Sequence, residues 1–337
     1  MKVLIDIGHP AHVHLFKNFI LFLQNNNHTV ITVSRDKDIT VELLNYYNIK
    51  HIILSVASHS LIGMFKEFIT RTYKIWRLHR KLKFDIAIGT SISIGYLSMM
   101  STVKSYNFCE DDDSVIPLQA TLSYPFSNYI INPVGIKYKI WSKKRILHAS
   151  YHELAYLHPN HFTPNKEILK KYSLTSYEYI VIRKSALTAH HDINAKGLDQ
   201  KIWNKINNLI KNYPQIHNKE NEKNHKIESH DMHHILAFAK LVISDSQTMT
   251  AEAAVLGTPS IRYNTFVKKI SYLEELEDKY KLTFGFFPGI DDEDMLEKIK
   301  TLLNNKNLHN DWQEKRKQML CDKTNFNQWM INFLKIR

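Results

Sequence analysis

The chain has 337 residues, 44% hydrophobic and 23% charged, a globular rather than disordered balance with room for about two domains. Its formal net charge of +12 favours anionic partners: phosphate-bearing small molecules, an acidic membrane surface or nucleic acid. No RNP-like or helix-turn-helix pattern supports nucleic acid, so no such partner is expected. Two cysteines far apart in sequence, Cys109 and Cys321, argue against a disulfide framework or zinc ribbon and fit a reducing, cytoplasmic setting.

The N-terminus enters strand-like KVLIDI directly, without the basic, apolar and small-residue series of a signal peptide. Val13, Phe16, Ile20 and Leu23 then recur at helical spacing over Val13–Gln24, and Asn25-Asn26-Asn27 stops that helix. HTVITVS reads as a strand, Val41–Tyr47 as a helix and HIILSV as a third strand. Lys66–Lys83 follows as a long basic helix with Phe65, Phe68, Ile69, Ile75 and Trp76 as its apolar stripe. Such a helix suits packing on a sheet, or contact with an anionic bilayer. Ile86–Met100 is the nearest approach to a membrane-length apolar run, but Ser, Thr and Gly divide it into strand, turn and helix.

A second strand–helix series starts with YIVIRKS near Tyr177, continues through a helix around Gln200–Asn212, and reaches LVISDS and PSIRY. Tyr151–Tyr172, with Pro159 and Pro164, reads as a linker, and Lys211–Ser229 as including a surface loop. Alternating strands and helices predict parallel sheets covered on both faces. The expected architecture is therefore α/β, with domains at 1–160 and 161–321 facing a central cleft. A C-terminal helix at about 322–337 is expected to pack back on the first domain.

In such sheets ligands bind beyond the carboxyl ends of the strands, so the turns after strands are where chemistry belongs. Gly8-His9-Pro10-Ala11-His12-Val13-His14 follows the first strand. His9, His12 and His14 are candidate proton carriers, of which His12 and His14 diverge on a helix. No nearby Cys, Asp or Glu completes a zinc set, and the acid run Glu110–Asp113 reads as solvent-facing, so no metal is assigned. Arg183, Lys184 and Ser185, followed by His190, His191 and Asp192, suit a diphosphate, the arginine as a planar fork and the lysine as a point charge. His233 and His234 sit at the start of a short helix.

Most distinctive is LVISDSQTMTAEAAVLGTPSIR, a buried strand, a turn, a helix of small residues, then a Gly-Thr-Pro stop. Asp245, Ser246, Gln247 and Thr248 put backbone amides and hydroxyls at one helix N-terminus, an arrangement that serves a phosphate or simply caps the helix. Glu252, two turns along, is placed to reach sugar hydroxyls.

Across most of its length the chain resembles the bacterial and archaeal family catalogued as domain of unknown function 354. The resemblance is carried by IDIGHPAHVHLFKN, YHELAYLHPNHFTPN, RKSALTAHHD, SDSQTMTAEAAVLGTPSIR and SYLEELEDKYKLTFGF, in that order. That family is similar to GT-B nucleotide-sugar enzymes, which include glycosyltransferases and UDP-N-acetylglucosamine 2-epimerases. The resemblance implies Ser246 and nearby amides for phosphate, Glu252 for ribose and Arg183 for diphosphate. His12-Val13 looks like the Gly-His-Val of the peptidoglycan N-acetylglucosaminyltransferase, which makes His12 the implied base and His9 its alternate.

Two departures matter. The usual Gly-Gly run is Gly8-His9-Pro10-Ala11 here, which leaves the acceptor open, and the epimerase Gly-Thr-Arg-Pro-Glu turn is absent, which weighs against epimerisation. The expected activity is a glycosyltransferase of surface polysaccharide synthesis, cytoplasmic or peripheral at the membrane, needing no cofactor beyond its nucleotide-sugar donor and acting on a glycan or lipid-linked acceptor. An epimerase or hydrolase of nucleotide sugars, and a non-catalytic nucleotide-sugar-binding component, are the alternatives.

Overall fold

The computed structural model describes residues 1–58, 60–138, 140–184, 197–219 and 227–334. They form two compact units, the first built from Met1–Tyr156 and Thr324–Arg337, the second from Leu157–Lys323.

Unit 1 holds β1 (Lys2–Ile7), α1 (Pro10–Asn25), β2 (Thr29–Asp36), α2 (Thr40–Tyr46), β3 (His51–Val56), α3 (Leu61–Leu82), β4 (Ile86–Gly89), α4 (Ile92–Met99), β5 (Lys104–Phe108), α5 (Pro117–Ser123), β6 (Tyr129–Pro133) and β7 (Arg145–His148). The strands make one parallel sheet in the order β3-β2-β1-β4-β5-β6-β7. Apolar runs such as Val3–Ile5 are fully buried because helices cover both faces. Val13, Phe16, Phe19, Ile20 and Leu23 give α1 a buried stripe, while Leu4, Ala87, Ile75, Ile94 and Leu97 join α3 and α4 to the sheet in one core.

Residues Leu154, Ala155 and Leu157 are fully buried, so the start of the expected linker is instead part of the packing. In unit 1, Phe326 of α13 (Phe326–Phe333) stacks on His152 and meets His148 at 4.2 Å. Its aromatic face covers the β7 end of the sheet.

Unit 2 holds α6 (Glu167–Lys171), β8 (Ile180–Lys184), α7 (Gln200–Ile210), β9 (Gln215–Lys219), α8 (Met232–Ala237), β10 (Leu241–Ser244), α9 (Gln247–Leu256), β11 (Ser260–Tyr263), α10 (Ser271–Asp278), β12 (Thr283–Phe286), α11 (Asp292–Asn304) and α12 (Leu308–Asp322). Its parallel sheet runs β12-β11-β10-β8-β9. α7 shows how the sequence dictates its packing. Asp199 caps it by accepting from the Ile202 amide at 2.9 Å, and Ile202, Ile206 and Ile210, four apart, are its buried side.

The basic helix differs from its expected form. α3 has two apolar stripes, not one: Ile75 is in the core and Phe68 packs against Tyr96, whereas Phe65 and Ile69 are exposed. No helix among the described residues is long and apolar enough to cross a membrane.

Candidate functional site

Each sheet has a point where its winding reverses, and the singled-out turns lie there. In unit 1 the reversal falls between β1 and β4, paired from Val3 with Ile86 to Asp6 with Gly89. A side chain at Gly89 would place its Cβ 2.8 Å from the Asp6 carbonyl oxygen, so glycine lets the two strand ends close up. His9 follows β1 as the N-cap of α1, its Nδ1 accepting from the Ala11 amide at 3.2 Å, and Pro10 starts the helix.

His12 reaches across the reversal to β4: Thr90 Oγ1 is 2.9 Å from Nδ1 and 3.1 Å from Nε2, and the Gly8 amide donates to Nδ1 at 3.4 Å. The His9 and His12 ring centroids are 5.8 Å apart. Close packing around the His12 ring, aided by Lys37 and Arg71, depresses its pKa from 6.5 to about 3, although the residue as a whole keeps some exposure. It is therefore neutral at physiological pH. His14 lies elsewhere, stacked on Tyr156 at 5.2 Å and edge-on to Tyr47, so the structure brings together two of the three histidines.

Beneath the turn is a charge network that no sequence motif announced. Asp6, fully buried on β1, accepts from Arg71 of α3 and from Ser91 after β4. Arg71 also donates to the Ser34 carbonyl and to Ser55 Oγ, both at 3.0 Å. Ser55 then joins Glu67, which takes both arms of Arg35 at 2.7 and 2.8 Å. Burial alone would raise the Glu67 pKa, but the bonds from Arg35 and Ser55 hold it below the usual carboxylate range. Paired and hydrogen-bonded on several sides, these charges tolerate burial.

A further histidine, His152, lies within electrostatic reach of His12. The carboxylate of Glu110 lies 3.5 Å from Nδ1 of His152 and accepts that residue's amide at 3.2 Å. Burial, and then His12, lower the His152 pKa from 6.5 to about 3. The acid run is thus structural rather than solvent-facing: Asp112 is buried and accepts from the Lys137 amide, and Asp113 binds Arg145 at 2.7 and 2.6 Å. Four consecutive acidic residues conceal this, because Glu110, Asp112 and Asp113 find their partners more than twenty residues further along the chain.

In unit 2 the reversal falls between β8 and β10, where Ser244 pairs with Arg183 and the Asp245 amide donates to the Arg183 carbonyl at 3.3 Å. The basic turn and the Asp-Ser turn therefore meet at one place. Arg183 donates from Nη1 to Asn218 on β9, while Lys184 is exposed. Ser185, His190, His191 and Asp192 lie outside the described residues.

Ser246 is the N-cap of α9, its hydroxyl accepting from the Met249 amide at 3.4 Å. Gln247 and Thr248 occupy the first two helical positions, half-buried, where backbone N–H groups have no partner inside the helix. Asp245 is buried, and its carbonyl accepts from Asn264 Nδ2 at 2.8 Å, which ties the turn after β11 to the turn after β10. Ala251, Ala253 and Ala254 are fully buried, so the helix lies close against the sheet. Gly257, at φ +75°, supplies the left-handed residue that ends it.

Glu252 and His233, singled out separately, are partners: His233 Nε2 is 3.0 Å from Glu252 Oε1, with both residues buried. His234 instead accepts from the Asn165 amide at 3.0 Å. Among the described residues, Glu228, His230 and Asp231 are close enough to share a metal ion. Lys171 already stands 2.8 Å from Glu228 and 2.9 Å from Asp231, which makes this an ammonium-centred cluster.

The family model described as "Protein of unknown function (DUF354)" matches residues 1–325. No curated protein matches the sequence. Among solved structures, the S. aureus MnaA-UDP co-structure is similar at TM-score 0.70 and 12% identity, covering 100% of this chain and 98% of that one. UDP-GlcNAc 2-epimerase from Neisseria meningitidis, bound to UDP-GlcNAc, aligns at TM-score 0.65 and 13% identity over 100% of both chains. The spinosyn forosaminyltransferase SpnP aligns at 0.64 and 12%, covering 99% of this chain and 98% of that one. At these identities the likeness establishes the GT-B-like fold.

Proposed function

We propose that this chain, which belongs to the DUF354 family, is a nucleotide-sugar glycosyltransferase. Unit 2 holds the donor and unit 1 prepares the acceptor. The observation that carries the reading is the reversal point of unit 2. There the N-terminus of α9, the cations Arg183 and Lys184, and a buried carboxylate in the second turn of α9 occur on one sheet end. A helix N-terminus and cations suit a diphosphate, and a carboxylate oriented by a histidine suits ribose hydroxyls.

In transfer, the acceptor oxygen forms a bond to the anomeric carbon as the bond from that carbon to the diphosphate breaks. His12 takes the acceptor proton, and the amides of Gln247 and Thr248, with Arg183, meet the charge on the leaving diphosphate. In this reading no metal is required. His12 is neutral and so able to accept a proton. Burial is the main cause of its lowered pKa, and an anionic substrate beside it would offset the smaller effects of Lys37 and Arg71 and so raise its basicity.

The acceptor is a glycan or a lipid-linked sugar of surface polysaccharide synthesis. A second reading, conversion of a nucleotide sugar with no acceptor, is favoured by the likeness to two UDP-linked structures, one of them a 2-epimerase. Product analysis with donor alone and with acceptor added separates the two. Donor identity is found by thermal shift with UDP-, GDP-, CMP- and dTDP-sugars, since a ligand of the folded state raises its melting temperature. With the donor found, Glu252→Gln should weaken its binding about tenfold in calorimetric titration, the loss of roughly one charge-assisted hydrogen bond. Unchanged affinity removes Glu252 from the site.

A further inference from the structure

The outer face of α3 takes no part in the reading above, yet it carries more exposed large apolar side chains than any other helix among the described residues of unit 1. Leu61, Ile62, Phe65, Ile69 and Tyr73 are between 51% and 84% exposed. At 100° per residue they fall within one third of the helix circumference, and Trp76, further along the same side, is half-buried against the core. The buried residues Arg71 and Ile75 fall outside this third, about 140° and 100° from its centre, and His79 near the C-terminal end falls at its edge, while the five exposed side chains stay out of the core. Val56, at the end of the edge strand β3 shortly before α3, is 68% exposed as well.

Cations border the stripe. Lys66, Arg77 and Lys81 are exposed along its flank, and the Arg80 guanidinium lies 5.3 Å over the Trp76 ring. Glu67, the only acidic residue of α3, is turned inward to Arg35 and Ser55, so no carboxylate opposes them on this face. A soluble surface rarely keeps five large apolar side chains in helical register. Apolar side chains at the level of the acyl chains, with lysines and arginines beside them at the level of phosphates, are what an interfacial helix requires.

We propose that the outer face of α3 docks unit 1 on an anionic lipid bilayer, with Ile62, Phe65 and Ile69 inserted and Lys66, Arg77 and Lys81 against the lipid phosphates. The charge of the bordering side chains selects a lipid surface over a second protein copy, which would bring the same cations together.

The test is co-sedimentation of the full chain with vesicles of phosphatidylcholine alone or mixed with phosphatidylglycerol. Binding should require phosphatidylglycerol and fall with added salt. Replacing Lys66, Arg77 and Lys81 by Gln should weaken it about a hundredfold, roughly fivefold per cation. Phe65→Ser with Ile69→Ser should weaken it at least tenfold while leaving thermal stability unchanged, since both side chains are exposed. No binding to phosphatidylglycerol vesicles overturns the proposal, as does undiminished binding by the Phe65/Ile69 variant. A concentration-dependent dimer that this variant abolishes, without vesicle binding, would assign the face to a second copy instead. Nucleotide-sugar affinity reports separately on unit 2, so the two proposals fail independently.

Discussion

The two reversal points solve one problem with different materials. Unit 1 lines its end of β1 and β4 with titratable rings, His9 and His12 with His152 within electrostatic reach, above a buried Asp6–Arg71 pair. Unit 2 lines its end of β8 and β10 with backbone amides at the head of a helix whose side chains are mostly small and buried. Rings can gain and lose protons, whereas amides cannot and serve only to hold charge. The proposed transfer would use the rings to handle a proton and the amides to hold an anion, and the contrast can be broken at specific residues.

The largest effect should come from Asp6→Ala. Arg71 would keep its place with no carboxylate, and an uncompensated buried charge costs about 3–5 kcal/mol. Urea denaturation measures this, and a loss below about 1 kcal/mol would mean the guanidinium escapes to water. An intermediate effect is expected from acid. The pKa values of His12 and His152 are lowered on folding, so between pH 6.5 and 3 the unfolded chain binds more protons than the native one. Stability is complete above pH 6.5 and falls as the pH drops, by about 1 kcal/mol per histidine at pH 5.5 after allowance for solvent screening. Their ring resonances should not titrate between pH 5 and 8. A midpoint near 6.5 for His12 would remove its distinction from a surface histidine.

The smallest effect belongs to unit 2. Ser246→Ala deletes the cap of α9 and should cost about 1 kcal/mol. Because phosphate would meet amides rather than this hydroxyl alone, nucleotide-sugar affinity should fall less than for Glu252→Gln. The reverse order would make the hydroxyl the principal contact.

Much of this was written locally in the sequence. The strand, turn and helix around Leu241–Arg262 are consecutive, with stop signals that depend only on their neighbours. The Gly8–His14 turn is equally local. What could not be read is what strands far apart contribute to one place: Asp6, Thr90, Glu110 and His152 come from four separate segments. β5 was also obscure, because Ser105 and Asn107 are buried polar residues that interrupt an apolar pattern. Their partners, Asn128 at 2.8 Å and Ser123 at 2.5 Å, lie some twenty residues on. The basic helix misled for another reason: sequence periodicity finds apolar faces but does not say which of two turns inward.

The return of α13 to unit 1 has a consequence for how the molecule is made. Phe326 and Met330 are fully buried there, yet all of unit 2 is translated between them and the sheet they cover. At about 5–20 residues per second, the aromatic patch around Phe108 and His148 waits roughly ten to thirty seconds for its cover. The half of the protein that emerges first from the ribosome is therefore the half completed last.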